Sequence, residues 1–311
     1  MTGTDLDAIL IDVAAAINRD AARIEREADR KEDAPPGPFG IAVACADGRT
    51  FAAGAATTGF PIQSIAKVFA LDLALAAVGD AVFERVGREP SGDPFNSIID
   101  LERNEGVPRN PFVNAGALAV VDILVDHLSA DEQADAVVDA IRKAAGVPDA
   151  ALDEEVMASE HQGGDLNCAI LSFLRHHGNL RSDPDAVMEA YVRQCALSLD
   201  VRGLAQAGLP LADTRCGGGQ ADAVAQRRRK VLALMMTCGH YDASGDFALR
   251  VGVPAKSGVG GGILAVVPGV ASLAAWSPNL DQHGNSILGV HALEMLCDRA
   301  GWSVFGPAPG A

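Results

Sequence analysis

Positive charge is scarce in this 311-residue chain: 25 Lys and Arg stand against 41 Asp and Glu, a formal net charge of −16. A surface of that sign repels phosphate backbones and anionic lipid headgroups, so neither nucleic acid nor a membrane is an expected partner. The one basic run, Arg227 to Lys230, lies in a helix-compatible stretch and reads as a solvated face. No uncharged apolar run approaches the ~18 residues a membrane span needs. The N-terminal MTGTDLDAILIDVAAAINRD is acidic and interrupted by polar residues, unlike the basic start and unbroken apolar core of a signal peptide. The six cysteines (Cys45, Cys168, Cys195, Cys216, Cys238 and Cys297) form no CxxC pair and no close Cys/His cluster. That disfavours a zinc site and leaves most of them as small buried hydrophobes. The chain is expected to be soluble, reduced and cytoplasmic.

What is present is a sequence of contrasting textures. Residues 5 to about 31 have helical periodicity and run into Ala-Pro-Pro-Gly-Pro at 34–38, which breaks the helix. FGIAVACADGRTFAAG then places two short β-compatible runs around Asp47-Gly48, a tight-hairpin dipeptide. From Ser64 to about Tyr241 the chain is Ala/Leu/Val-rich and helix-compatible, punctuated by polar loops. After Asp246, FALRVGVPAKSG, GILAVVPG and VASLAAWSP predict three neighbouring strands, and 284–299 predicts a closing helix. Strands near both ends with helices between them imply an α+β fold. Its expected units are an antiparallel sheet domain from 1–63 and 242–311, and an inserted helical domain over 64–241.

FPIQSIAKVFALDLALAAVGD carries the strongest chemical signal. Ile65 to Val78 is apolar except for Lys67 and Asp72, so a buried helix is expected and Lys67 is out of place in it. Burial lowers an amine's pKa, and the Ser-x-x-Lys spacing puts Lys67 one turn from Ser64, where it can take the hydroxyl proton. Ser64 at a helix N-terminus would also meet free backbone N–H groups. The competing reading is a capping serine and a lysine that reaches solvent.

Other segments offer polar partners: Asn114 before a Gly-containing apolar helix, Glu160 and Asn167 two helical turns apart, and Tyr191. Each has a structural alternative as a cap, a surface carboxylate, a turn residue or core. Lys256-Ser257-Gly258 on a predicted strand, followed by glycines, completes a two-part Ser-x-x-Lys and Lys-Ser-Gly pattern. A dinucleotide site is rejected there, because ILAVVPG reads as a strand rather than the required helix.

FPIQSIAKVF, EPSGDPFNS, PRNPFVNAGA, TCGHYDASGDFALRVGVPAKSGVGGG and SPNLDQHGNSILGV together closely resemble the serine-dependent glutaminases, which share the β-lactamase-like fold. The resemblance runs from about Phe39 to the C-terminal helix. It implies that Ser64 is acylated by the glutamine carboxamide, Lys67 takes its proton and Tyr241 relays a proton to departing ammonia. Backbone N–H groups of Ser64 and Val259 are implied as the oxyanion hole. Glu160 is implied for the substrate α-ammonium, and Asn114, Asn167 and Tyr191 for its carboxylate and amide. Lys256, Ser257 and Gly258 are supporting residues. No metal or organic cofactor is called for, and a homodimer or homotetramer is implied.

Three departures stand out. The family's Tyr-Ile-Pro segment before the first strand is replaced by AARIEREADRKE, and the only tyrosines are Tyr191 and Tyr241. Leu166-Asn167 stands for the family's Arg-Asn, and LADTRCGGG for its Leu-Ala-Asn-Gly-Gly. A raised KM for glutamine is expected, together with a mobile stretch from Arg23 to Pro38, which has few apolar residues to anchor it. The alternative readings are an amidase or esterase of the same fold acting on another small amide, and a catalytically weak glutamine-binding protein.

Overall fold

In the computed structural model, residues 5–31, 34–92, 97–129, 132–215 and 217–306 are described, with the backbone alone at 160–163. Helix α1 (Leu6–Glu27) starts where the Asp5 carboxylate accepts the Ala8 N–H, and it buries Leu6, Leu10, Val13, Ile17, Ala21 and Ile24 on one face. That is the spacing of an amphipathic stripe. Strands β1 (Gly40–Cys45) and β2 (Thr50–Gly54) form the expected hairpin. Gly48 in its turn has φ +89°, a conformation that favours glycine.

The short strand β3 (Phe60–Pro61) leads into a 3-10 turn at Gln63–Ile65 and then α2 (Ala66–Val78). Helices α3 (Ile99–Arg103), α4 (Asn114–His127), α5 (Ala136–Ala145), α6 (Glu154–Gly163), α7 (Asp165–His176) and α8 (Pro184–Ala196) follow. Strand β4 (Ser198–Leu199) pairs antiparallel with β3, so the turn before α2 is tied to the end of α8. Helices α9 (Val201–Ala212), α10 (Gln220–Cys238) and α11 (Ser244–Arg250) precede β5 (Ala255–Ser257), β6 (Gly262–Val267), β7 (Ala271–Trp276) and α12 (Ile287–Ala300).

The main sheet has the order β2-β1-β7-β6-β5, with every pair antiparallel. Both faces are buried, and alternation sorts them: Ile41, Val43, Ile263, Ala265 and Leu273 face one core with α1 and α12. Ala42, Ala44, Leu264, Val266 and Ala274 face the other, which continues into the helical region. Helix α9 lies on this second face against β1, β6 and β7.

Three expectations are corrected. FALR is helical rather than a strand: Phe247 and Val251, one turn apart, bury a common face, Asp246 pairs with Arg250 at 3.4 Å, and β5 begins only at Ala255. The run from Arg227 to Lys230 is not simply solvated. Arg227 Nε lies 2.8 Å from the Asp72 carboxylate and Lys230 pairs with Asp80, which ties α10 to α2 and the turn after it. The segment after α1 is tied down by hydrogen bonds to the far end of the chain. The Lys31 N–H donates to the Leu280 carbonyl at 2.9 Å, the Gln282 N–H to the Asp29 carbonyl at 3.0 Å, and Asn279 Nδ2 to the Pro35 carbonyl at 2.8 Å.

Candidate active site

Ser64 sits on the 3-10 turn between β3 and α2, 7% exposed. The Ile62 N–H donates to the Leu197 carbonyl at 2.9 Å, and Gln63 has a left-handed φ of +49°. A non-glycine residue held in that region costs of order 1–3 kcal/mol and persists only where its surroundings enforce it. The Ser64 hydroxyl caps neither the turn nor α2, so the capping reading fails. Lys67 does not reach solvent: it is 1% exposed on an otherwise apolar stretch of α2. Its Nζ donates to Asn114 Oδ1 at 2.7 Å and to the Phe112 carbonyl at 3.3 Å. The Tyr191 ring centroid is 5.9 Å from the same nitrogen.

Asn114 is the first residue of α4, whose N-cap is Val113, so it too is no cap. Its Oδ1 faces Lys67 and the Tyr191 hydroxyl, which donates at 3.5 Å, while its Nδ2 donates to Asn167 Oδ1 at 3.2 Å. Asn167 and Tyr191 are 7% and 4% exposed. The structure thus brings Lys67, Asn114, Asn167 and Tyr191 into one chain of contacts. Glu160 and Asn167 are not two turns apart on a single helix, as their spacing predicts. Gly164 divides α6 from α7, and the two residues lie on different helices. The Glu160 side chain lies outside the described residues.

Across the turn is the edge strand β5. Gly258 and Gly260 let its end press on the chain before Ser64: a Cβ at Gly258 would stand 2.6 Å from the Ile62 carbonyl oxygen, and one at Gly260 2.2 Å from that of Pro61. Among the described residues the Val259 N–H meets no backbone acceptor. Ser257 is fully buried, and its N–H donates to the Gly239 carbonyl at 3.2 Å. Lys256, also fully buried, donates to the Ser257 carbonyl at 2.5 Å, and its Nζ lies 4.3 Å from the Tyr241 ring centroid. Burial, and then the charge of Lys67, push the Lys256 amine well below its ordinary pKa.

Tyr241, on the 3-10 turn Tyr241–Ala243, has φ +54°. Its hydroxyl donates to the Ser257 carbonyl at 3.5 Å and is hydrogen-bonded to Ser64. Burial pushes the phenol up to about 12, outweighing the hydrogen bonds with Ser64 and Ser257 that pull it down, so it is protonated at neutral pH.

Sequence reasoning missed Asn110, 2% exposed. Its Oδ1 accepts the Phe112 and Val113 N–H groups at 2.9 and 3.2 Å, and its Nδ2 donates to the Glu89 carbonyl at 3.0 Å. That clamp orients the carbonyl that receives Lys67. The signal was there in the Asn-Pro of PRNPF, a turn-initiating pair. Among the described residues no group of three or more His, Cys, Asp or Glu is arranged to hold a metal, and no helix is long and apolar enough to cross a membrane.

The family model described as Glutaminase matches residues 29–305, most of the chain. This chain belongs to the glutaminase family. Two relatives in that family are glutaminases of Rhizobium rhizogenes, 50% identical over 87% of this chain and 88% of its own, and of Mesorhizobium japonicum, 47% identical over 97% of each. The Bacillus subtilis probable glutaminase superposes with a TM-score of 0.82 at 33% identity, covering 96% of this chain and 97% of its own. Mglu, solved in a tris and glutamate form, superposes with a TM-score of 0.83 at 33% identity, over all of this chain and 70% of its own. These glutaminases carry the β-lactamase-like fold, and this family member shares its mixture of helices and antiparallel sheet.

Proposed function

We propose that the chain hydrolyses L-glutamine to L-glutamate and ammonia through a glutamyl ester on Ser64. The observation that carries this reading is a buried Ser64, hydrogen-bonded to a protonated phenol, three residues before a buried amine held by Asn114 and Phe112. Lys67 Nζ, once it has given up its own proton, takes the Ser64 proton as Oγ attacks the side-chain carboxamide carbon. The oxyanion forms against the N–H groups of Ser64 and Val259. The C–N bond then breaks, and the proton held by Lys67 reaches the leaving nitrogen through Tyr241, so ammonia departs. Water attacks the ester, its proton passes back to Ser64, and glutamate leaves. Glu160 is assigned the substrate α-ammonium, and Asn114, Asn167 and Tyr191 its polar groups. Lys256 and Ser257 back Tyr241, and Gly258 lets the strand end close on the turn. That Mglu was solved in a tris and glutamate form fits glutamate as the product released here.

Ser64→Ala tests the reading. Ammonia release from glutamine should fall at least about a hundredfold, since the covalent route is lost. Stability should change by no more than about 0.5–1.5 kcal/mol, the net worth of one hydrogen bond. A folded alanine variant retaining more than about a hundredth of the rate, the weak end of acid–base assistance alone, would rule out the ester.

A further inference from the structure

Tyr241 must present its phenol to Ser64 from a backbone conformation that a residue with a side chain rarely adopts, φ +54°. Something close by has to hold it there. The two groups flanking that strained residue, the His240 N–H and the Tyr241 carbonyl, both end on one side chain. Ser244 Oγ accepts the His240 N–H at 3.0 Å and donates to the Tyr241 carbonyl at 2.7 Å. Ser244 is 6% exposed, so water does not compete readily for either bond. The other side of the turn is closed by packing. His240 stacks on Phe247 with ring centroids 3.7 Å apart, and Gly239 lies so close to β5 that a Cβ there would be 1.7 Å from the Ala255 carbonyl oxygen.

We propose that Ser244 is a positioning residue for the reaction: its hydroxyl clamps the Tyr241 turn and so aims the phenol at Ser64, without touching substrate. The inference rests on the role given to Tyr241 under the proposed function. The hydroxyl suits the task because it accepts and donates at once, which alanine cannot do. Loss of the clamp lets Tyr241 relax toward an ordinary negative φ and swing its phenol away from the serine.

The test is a double-mutant cycle on kcat for ammonia release from saturating glutamine, using Ser244→Ala, Tyr241→Phe and the pair. Ser244→Ala should lower kcat about 10- to 100-fold with KM within about threefold. In the Tyr241→Phe background it should change kcat by less than about twofold, because residues that act as a unit are not additive. Ser244→Thr, which keeps the hydroxyl, should recover most of the lost rate. Losses that multiply across the cycle, or a Ser244→Ala enzyme with unchanged kcat, would overturn the positioning role. The folded fraction, read by circular dichroism, normalises every rate, so a partly unfolded variant still separates the two outcomes. A Tyr241→Phe enzyme as active as the parent would instead sink the role of Tyr241 itself.

Discussion

Lys256 is an amine with no solvent exposure, and its Nζ meets a carbonyl and the face of a phenol ring. Burial and the neighbouring Lys67 lower its pKa, so over the window between the lowered value and the ordinary 10.5 the unfolded chain binds a proton that the folded chain does not. Stability from this group therefore rises with pH through that window and falls as pH drops through it, by at most about 1.4 kcal/mol per pH unit. Lys256→Met removes the titration while roughly keeping the volume. Urea unfolding of parent and variant at several pH values between 7 and 10.5 should show the parent gaining on the variant as pH rises. A difference constant across that range would mean that the lysine keeps its proton in the fold.

At the scale of the element, α4 carries the heaviest demand, because its first residue is Asn114 and its interior holds a buried carboxylate. Asp122, fully buried, pairs with Arg85 and accepts the N–H groups of Arg181 and Ser182 at 3.1 and 2.7 Å. Asn179 completes the cluster: its Oδ1 accepts Arg85 Nε at 3.0 Å, and its Nδ2 donates to the Arg85 and Gly106 carbonyls. The network fastens α4 to the turn after α2 and to the loop before α8. Asp122→Ala strands the guanidinium in the interior and should cost about 3–5 kcal/mol in urea unfolding. Replacing both partners, Arg85→Met with Asp122→Leu, should cost clearly less, since no charge is then left unpaired. If the double variant is as unstable as the single one, hydrogen bonds to the 179–182 loop rather than the ion pair hold the elements together.

For the whole molecule, the sheet is a shared wall, one face closed by α1 and α12 and the other continuous with the helical core through α9. Gly208 is the contact point. A Cβ there would stand 2.4 Å from Ser272 Oγ and 2.5 Å from Leu264 Cδ1. Gly208→Ala should therefore destabilise by about 1–3 kcal/mol through overpacking. Because both cores share the wall, one cooperative transition should move to lower temperature, with circular dichroism and activity lost together. Two separated transitions would show the helical region unfolding independently of the sheet. The sequence by itself determined the parts whose geometry lies within one element. The turn of helix that sets Lys67 after Ser64, the hairpin at Asp47-Gly48, and the alternation along β6 and β7 all follow from fixed local periods. Its local reading failed at Phe247, where a helical face looked like a strand, and at Gly164, which divides Glu160 from Asn167. Only the tertiary structure decided what meets Lys67: Phe112 and Asn114 lie 45 and 47 residues away, and neither spacing nor composition encodes a contact of that range. The same holds for the strap after α1, whose partners at 279–282 come from the far end of the chain. Local sequence sets which way a side chain leaves its own backbone; which group it meets is set by the packing of every element between them.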